Sequence, residues 1–410
     1  MDEVNSASSL YQKVIMARQP IYNVDINIVA YELLFRDCAD NQAVIIDGDG
    51  ATSELLVNLY THFDIDEVVG DKKAYINFTK RLIKEPPPFD KEGFVIEVLE
   101  DIVIDDDLVT SLKQLANSGY TIALDDYVHN EHSHRILPFV DIVKIDVLQL
   151  NEEELEQHVQ LLRQYDVMLL AEKVETYDMY RRCLGLGFEL FQGYFLCKPQ
   201  LISGKKVPAS KLLVIELLGK LQNPETTNEE LESLVSRDPV LSFQLLKLVN
   251  SACYMLNHKI ESLARAITYL GLNQVRSLAS LLTLSNLSDK PSALKNQSII
   301  RAKMCELLGA KIVRPDAPVM FSVGLLSTLD AYFDQPLEKV ITSMPLREDL
   351  VDALLNYSGV YGDILRVIIA LERAELEEMD WSFLSQHQVT VEDINEIYQE
   401  SIVWCHTSGM

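Results

Sequence analysis

Short apolar runs recur through the first 200 residues, and each closes on a charged or amide side chain. They are Tyr31–Arg36, Ala74–Thr79, Phe94–Glu97, Thr121–Asp126, Ile142–Asp146 and Met168–Glu172, and a further run, Leu190–Phe195, carries Gln192. Between them lie stretches with helical periodicity, such as Ser53–Phe63, Asp107–Ser118 and Glu152–Tyr165. Apolar runs of this length, alternating with amphipathic helices, read as buried strands of a largely parallel sheet. The opening pair, Ile15–Tyr22 and Ile28–Phe35, is separated only by Asn23–Asn27, which suits a hairpin. The first strand is therefore expected to run antiparallel to the rest. The pattern is that of an α/β domain, and a β/α barrel is one form it takes. In such a barrel the C-terminal strand ends converge on one mouth, where chemistry sits.

Near Pro199–Pro208 the pattern changes. Helical periodicity begins and continues to the end of the chain. Leu212, Leu213, Ile215, Leu217, Leu218 and Leu221 suggest one apolar face, stopped by Asn223-Pro224. Another helix is expected to start after Asp238-Pro239, and Tyr269-Leu270-Gly271-Leu272 reads as a helix end with a glycine cap and a new start. A length of 410 residues favours two domains. The division expected is an α/β barrel over residues 1–204 and an all-helical domain over residues 205–410.

The net charge of −26 argues against DNA, RNA or an anionic membrane surface as partner, since each needs a basic face. The six cysteines are scattered with no Cys-x-x-Cys pair, as in a reduced, cytoplasmic protein. The N-terminus has no basic region followed by an apolar stretch. No apolar run approaches the roughly 18–20 residues of a membrane helix, so the expected location is the cytoplasm.

The strand ends bring Glu32, Asn77, Glu97, Asp125, Asp126, Lys144, Glu172 and Gln192 toward one site. So many carboxylates repel one another unless a cation is present. Oxygen donors of this kind suit hard divalent ions. Two-metal phosphodiester cleavage needs carboxylates to fix the ions, a base, and cations to balance the phosphate. Glu32, Asn77, Glu97 and Asp125 are candidate ligands of a first metal, and Asp125 with Asp126 could bridge two ions. Lys144 could orient the attacking water, Glu172 could act as base, and Arg36 could hold a phosphate oxygen. A glutamate at one strand end is ordinarily a solvated edge; a set at successive strand ends is not explained that way. Lys144 and Asp146 would also suit a plain buried salt bridge. His129, His132 and His134 read as a polar surface loop.

Glu32-Leu33-Leu34-Phe35-Arg36 resembles the Glu-Ala-Leu-x-Arg signature of the EAL domain, the family of cyclic di-GMP phosphodiesterases. Ile76-Asn77-Phe78-Thr79, Glu97-Val98-Leu99-Glu100, Asp125-Asp126-Tyr127, Lys144-Ile145-Asp146, Ala171-Glu172-Lys173-Val174-Glu175 and Phe191-Gln192-Gly193-Tyr194 follow in the family's order. The resemblance spans residues 14–204. It implies a modified TIM-type (β/α) barrel and magnesium- or manganese-dependent linearisation of cyclic di-GMP to pGpG, with two ions in the active form. Glu172, Lys144 and Asp126 would be catalytic and Arg36, Gln192 and Glu175 would contact substrate. The chain departs from the family where the double Asp is followed by Tyr127-Val128-His129-Asn130-Glu131-His132-Ser133-His134, without glycines. In the family that loop links the metal site to a dimer interface, so a homodimer is among the implied partners. The segment between Arg36 and Asn77 is also shorter than usual.

The second half resembles the HDOD domain, a relative of the HD phosphohydrolases. The resemblance runs from Arg237-Asp238-Pro239 through Asn250-Ser251-Ala252 and on to Ile260–Ile267. Catalytic HD proteins need a His-Asp dyad; here the corresponding positions are Ser327 and Thr328. A non-catalytic output domain that contacts an unidentified protein is therefore expected, with Asn250, Ser251 and Asn273 as caps and turn residues. Two functions follow for the whole chain, which resembles bacterial EAL–HDOD signalling proteins. One is a cyclic di-GMP phosphodiesterase, favoured by the complete ligand set. The other is a catalytically inactive cyclic di-GMP sensor or scaffold, favoured by the altered loop.

Overall fold

The structure is a computed structural model that describes residues 14–37, 68–86, 91–128, 133–198, 209–251, 254, 260–287 and 290–408. The side chains at 14, 35–37, 209 and 210 lie outside this description. So does the expected helix Ser53–Phe63. The chain divides into two compact units. The first is residues 1–196 with Glu372–Glu377, and the second is residues 197–371 with 378–410.

The first unit is a closed eight-stranded barrel in the order β1 to β8. The strands are β1 Val14–Asn23, β2 Ile28–Asp37, β3 Lys73–Phe78, β4 Phe94–Val98, β5 Thr121–Leu124, β6 Ile142–Asp146, β7 Met168–Glu172 and β8 Leu190–Gln192. Described helices between them are α1 Lys80–Lys84, α2 Asp106–Asn117, α3 Glu152–Leu162 and α4 Tyr177–Leu186. β1 is antiparallel to both β2 and β8, and the remaining pairs are parallel. The hairpin turn is built on Asn23, whose side-chain oxygen accepts from the backbone N–H of Asp25 and Asn27. Helix starts carry the caps their sequences offer. Asp105 caps α2, and Asn151 and Glu154 form a capping box on α3.

One apolar layer closes the inside of the barrel. Ile21, Ala30, Tyr75, Val95, Ala123, Ile142, Leu170 and Leu190 contribute one side chain from each strand. Side chains alternate across a strand, so the residue two positions nearer the mouth points inward as well. In every strand that next inward position is polar: Gln19, Glu32, Asn77, Glu97, Asp125, Lys144, Glu172 and Gln192. The apolar layer is thus the floor of a polar one.

The second unit is helical. Its described helices are α5 Ala209–Gln222, α6 Asn228–Ser236, α7 Pro239–Val249, α8 Leu263–Leu270, α9 Leu272–Ser285, α10 Ser292–Ile312, α11 Ala317–Leu326, α12 Leu329–Phe333, α13 Leu337–Ile341, α14 Glu348–Asn356, α15 Gly359–Glu372, α16 Trp381–Gln386 and α17 Val391–Thr407. The breaks fall where the residues demand them. α5 stops before Asn223-Pro224, α7 starts at Pro239 on an Asp238 cap, and Gly271 both ends α8 and opens α9. α10 packs against α11 and α17. At Gly324 a Cβ would stand 2.8 Å from the Cα of Ala302, so only glycine permits that crossing. Asn250 ends α7 and holds both the N–H and the carbonyl of Ile260 at 2.7 Å.

Two expectations need correction. Leu218 and Leu221 are buried in α5, but Leu212 and Leu213 are exposed. The apolar stripe is too wide for one packed face. The stretch Glu348–Glu372 is also long and apolar enough to pass as a membrane span. The chain interrupts it at Tyr357, a non-glycine residue with φ 51°, leaving helices of 9 and 14 residues. Half of its most apolar 18-residue window is buried within the fold. Each piece is shorter than the roughly 20 residues a spanning helix needs.

Candidate functional site at the barrel mouth

The polar layer gathers around Lys144 on β6. This side chain is fully buried, and its ammonium lies 2.7 Å from Asp125, 2.8 Å from Glu97, 2.9 Å from Glu172 and 3.2 Å from Glu32. The sequence expectation of a Lys144–Asp146 bridge gives way to this four-carboxylate cage. Asp146 instead accepts from Lys173 at 2.5 Å, from Gln149 at 2.8 Å and from the Leu148 backbone at 2.9 Å.

The strand ends explain how the carboxylates reach the cage. β5 stops at Leu124, one residue before Asp125, so the double Asp lies past the strand and not within it. The Asp125 N–H still bonds to Val98 on β4 and the Tyr127 N–H to Lys144 on β6. Asp126 between them adopts φ 37°. The same device follows β7, where Lys173 at φ 54° stands directly after Glu172. A left-handed residue costs about 1–3 kcal/mol and is kept where the surroundings over-determine it. Here it turns the backbone away once the carboxylate has been delivered.

Asn77 and Glu97 are directly paired across β3 and β4. The side-chain oxygen of Asn77 and Oε2 of Glu97 are buried without a hydrogen-bond partner. Oε1 of Glu97 and Oδ1 of Asp125 touch the ammonium but are not aligned as hydrogen bonds. Gln192 is buried, and its amide N–H groups go to Glu32 and to Gln19, each at 2.7 Å. As the structure stands it supports Glu32 from behind. Glu175 is exposed in the loop after β7 and is not brought into the cage. Arg36 sits on β2 opposite Ile15, with its side chain outside the described residues. His129 and His132 also lie outside them, while His134 meets the Tyr165 hydroxyl at 2.9 Å. Gln19 was missed in the sequence. Its signal is the antiparallel course of β1, which puts the mouth on the N-terminal side of Ile21.

Electrostatics follow from burial and crowding. Burial, and then Glu32, hold the Glu97 carboxyl well above its ordinary range. Burial pushes Glu172 up to about 8, with Lys144 opposing the shift. Asp126 is raised by burial and by the neighbouring Asp125. Burial works against the Lys144 ammonium, but the four carboxylates outweigh it and its pKa lies well above the ordinary value. Among the described residues no three histidine, cysteine or acidic side chains converge tightly enough to hold a metal as they stand. The ammonium at their centre is what they converge on.

At the positions matching an HD dyad, Ser327 donates to the Gly324 carbonyl at 2.7 Å and accepts from Arg301 at 3.0 Å. Thr328 donates to the Leu325 carbonyl at 2.8 Å. Both are tied to their own helix.

A profile of the EAL domain matches residues 51–199, and one of the HDOD domain matches residues 207–332. Over 407 residues the chain is 34% identical to YuxH of Bacillus subtilis (strain 168), described as an uncharacterized protein, covering 96% of this chain and 98% of that one. Over 398 residues it is 34% identical to a Vibrio cholerae protein named cyclic di-GMP phosphodiesterase CdgJ, covering 94% and 90%. A solved structure of Klebsiella pneumoniae BlrP1, a calcium and cyclic di-GMP complex, aligns at 22% identity and a TM-score of 0.37 over 45% of this chain and 55% of that one. That likeness is too low to bear on function. The chain belongs to the family in which an EAL domain is followed by an HDOD domain.

Proposed function

We propose that this chain acts in bacterial cyclic di-GMP signalling as a metal-dependent phosphodiesterase that opens cyclic di-GMP to linear pGpG. The observation that carries this reading is the ring of Glu32, Glu97, Asp125 and Glu172 around Lys144, with unpaired oxygens on Asn77 and Glu97 beside it. The full-length likeness to a relative named for this activity supports it. The all-oxygen donor set fits a hard divalent ion, magnesium or manganese. Glu32, Asn77, Glu97 and Asp125 would hold the first ion, and Asp126 would share in a second. Bound there, the metal supplies positive charge against the phosphate and lowers the pKa of a water molecule.

The chain's own residues do the rest. Glu172, whose proton affinity burial raises, accepts the proton of the attacking water. The Lys144 ammonium would donate a hydrogen bond that orients this water. Arg36, Gln192 and Glu175 are assigned to the nucleotide, with Gln192 first releasing Glu32. The helical domain is non-catalytic and passes the signal by protein contact. The location proposed is the cytoplasm.

A second reading has its own support. Lys144 already sits at the centre of the carboxylates, and the loop after Asp126 lacks the family's glycines. Both suit a cyclic di-GMP sensor without turnover. Purified chain incubated with cyclic di-GMP and manganese separates the two. Linear product, lost in Glu32→Ala, supports the enzyme. Saturable binding with no product establishes the sensor.

A further inference from the structure

The second unit contains a cleft unrelated to the barrel. Its enclosed volume is about 30 Å³, and it opens to solvent, between the end of α5 and helices α9, α11 and α14. The enclosed part has room for a water or two or for the head of a small anion, and none for a nucleic acid or a folded partner. Pro318, Val319 and Leu350 give it an apolar side. Gln222, Ser277, Ser322, Arg276 and Arg347 give it a polar one.

Accounting for the buried donors on the polar side leaves one over. Gln222 donates to Ser280 at 2.9 Å and to Ser322 at 3.2 Å. Ser277 donates to the Pro318 carbonyl at 2.9 Å, and its oxygen meets the Ser322 hydroxyl at 2.8 Å. Arg347 is about 40% exposed and paired with Asp349 through two N–H groups, so its charge is balanced. Arg276 is different. It is only 9% exposed, yet its Nε has no hydrogen-bond partner. Its two terminal nitrogens make long contacts of 3.4 Å, one to Asn273 and one to the Thr226 carbonyl, both uncharged. Burial lowers the pKa of this guanidinium, and no acidic group contributes against that. An arginine remains charged in such a setting. A buried, charged donor left unmade is costly, and natural proteins rarely keep one without a use.

We propose that this cleft is a binding site for a small organic anion, whose phosphate or carboxylate group seats on Arg276 and whose body lies against Pro318, Val319 and Leu350. The planar guanidinium matches either oxyanion. The charge fits too: in a chain of net charge −26, an unbalanced buried cation is where an anion would be drawn. The inference is independent of the barrel's chemistry.

The test uses the full chain without divalent metal and titrates inorganic phosphate and, separately, acetate by calorimetry at constant ionic strength. At least one should bind saturably, and the tighter of the two names the recognised group. Arg276→Gln should weaken it at least tenfold. Arg347→Glu, a rim substitution at an exposed position, should weaken it several-fold while leaving the fold intact. Binding that persists unchanged in both variants would place the anion elsewhere and overturn the site. So would the lack of saturable binding of either anion to the unmodified chain.

Discussion

Lys144 sets the charge balance of the barrel. Four carboxylates against one ammonium leave a negative surplus in a buried space; burial first, and the neighbouring carboxylates after it, make Glu97 and Glu172 hold protons more tightly. A divalent ion would have to displace the ammonium as well as these protons. Lys144→Met separates the two roles. Removing one member of a buried charge cluster costs about 3–5 kcal/mol, so the metal-free variant should unfold at distinctly lower urea concentration. Its manganese affinity should rise, because the competing cation is gone, while turnover falls. Manganese affinity that drops along with stability would show that Lys144 builds the metal site rather than competing for it. The reading from sequence reached Lys144 and its carboxylates because each stands within or at the end of an apolar run. It did not show which partners Lys144 takes, since Glu32 is 112 residues away and only closure of the barrel brings the two together.

At the scale of the element, the strands set the height of every site residue, and a few backbone positions set where each strand ends. Gly193 is the clearest of these. It follows Gln192 with φ 147°, and a Cβ there would lie 2.2 Å from the carbonyl oxygen of Val174. The contact is with backbone whose N–H is itself bonded to the Gln192 carbonyl at 2.9 Å, so neither side can give way cheaply. Gly193→Ala should cost at least the roughly 1–3 kcal/mol of a strained backbone and should loosen the hold of Gln192 on Glu32. Urea unfolding measures the first effect; an unchanged midpoint would mean that the β7–β8 junction adjusts freely. Strand starts were legible from apolar runs to within a residue. The ends were not: β5 stops before Asp125 because of the left-handed Asp126, a conformation that an Asp-Asp pair does not announce. Gln19 was hidden for a related reason. On an antiparallel strand the mouth-facing residue precedes the apolar one, and the eye follows the seven parallel strands.

Across the whole molecule, the change from strand to helical periodicity after Pro199 is the most legible boundary in the chain. It needs no long-range information. The roles of the two halves differ in how far sequence reaches them. The barrel's chemistry rests on residues that recur at strand ends. The Arg276 cleft joins side chains from separate helices with no shared spacing, and only the packed structure reveals it. The expectation of a non-catalytic helical half rests on Ser327 and Thr328, which offer neither imidazole nor carboxylate. Their hydroxyls are engaged with Arg301 and with the Gly324 and Leu325 carbonyls. A fragment of residues 206–410 carries periodic apolar faces sufficient for a core of about 200 residues and should fold cooperatively. It should release no product from cyclic di-GMP or from a generic phosphodiester in the presence of manganese, whereas the full chain carries the activity proposed for the barrel. Hydrolysis by the isolated fragment would place a second catalytic centre among the helices and undo the division of labour argued here.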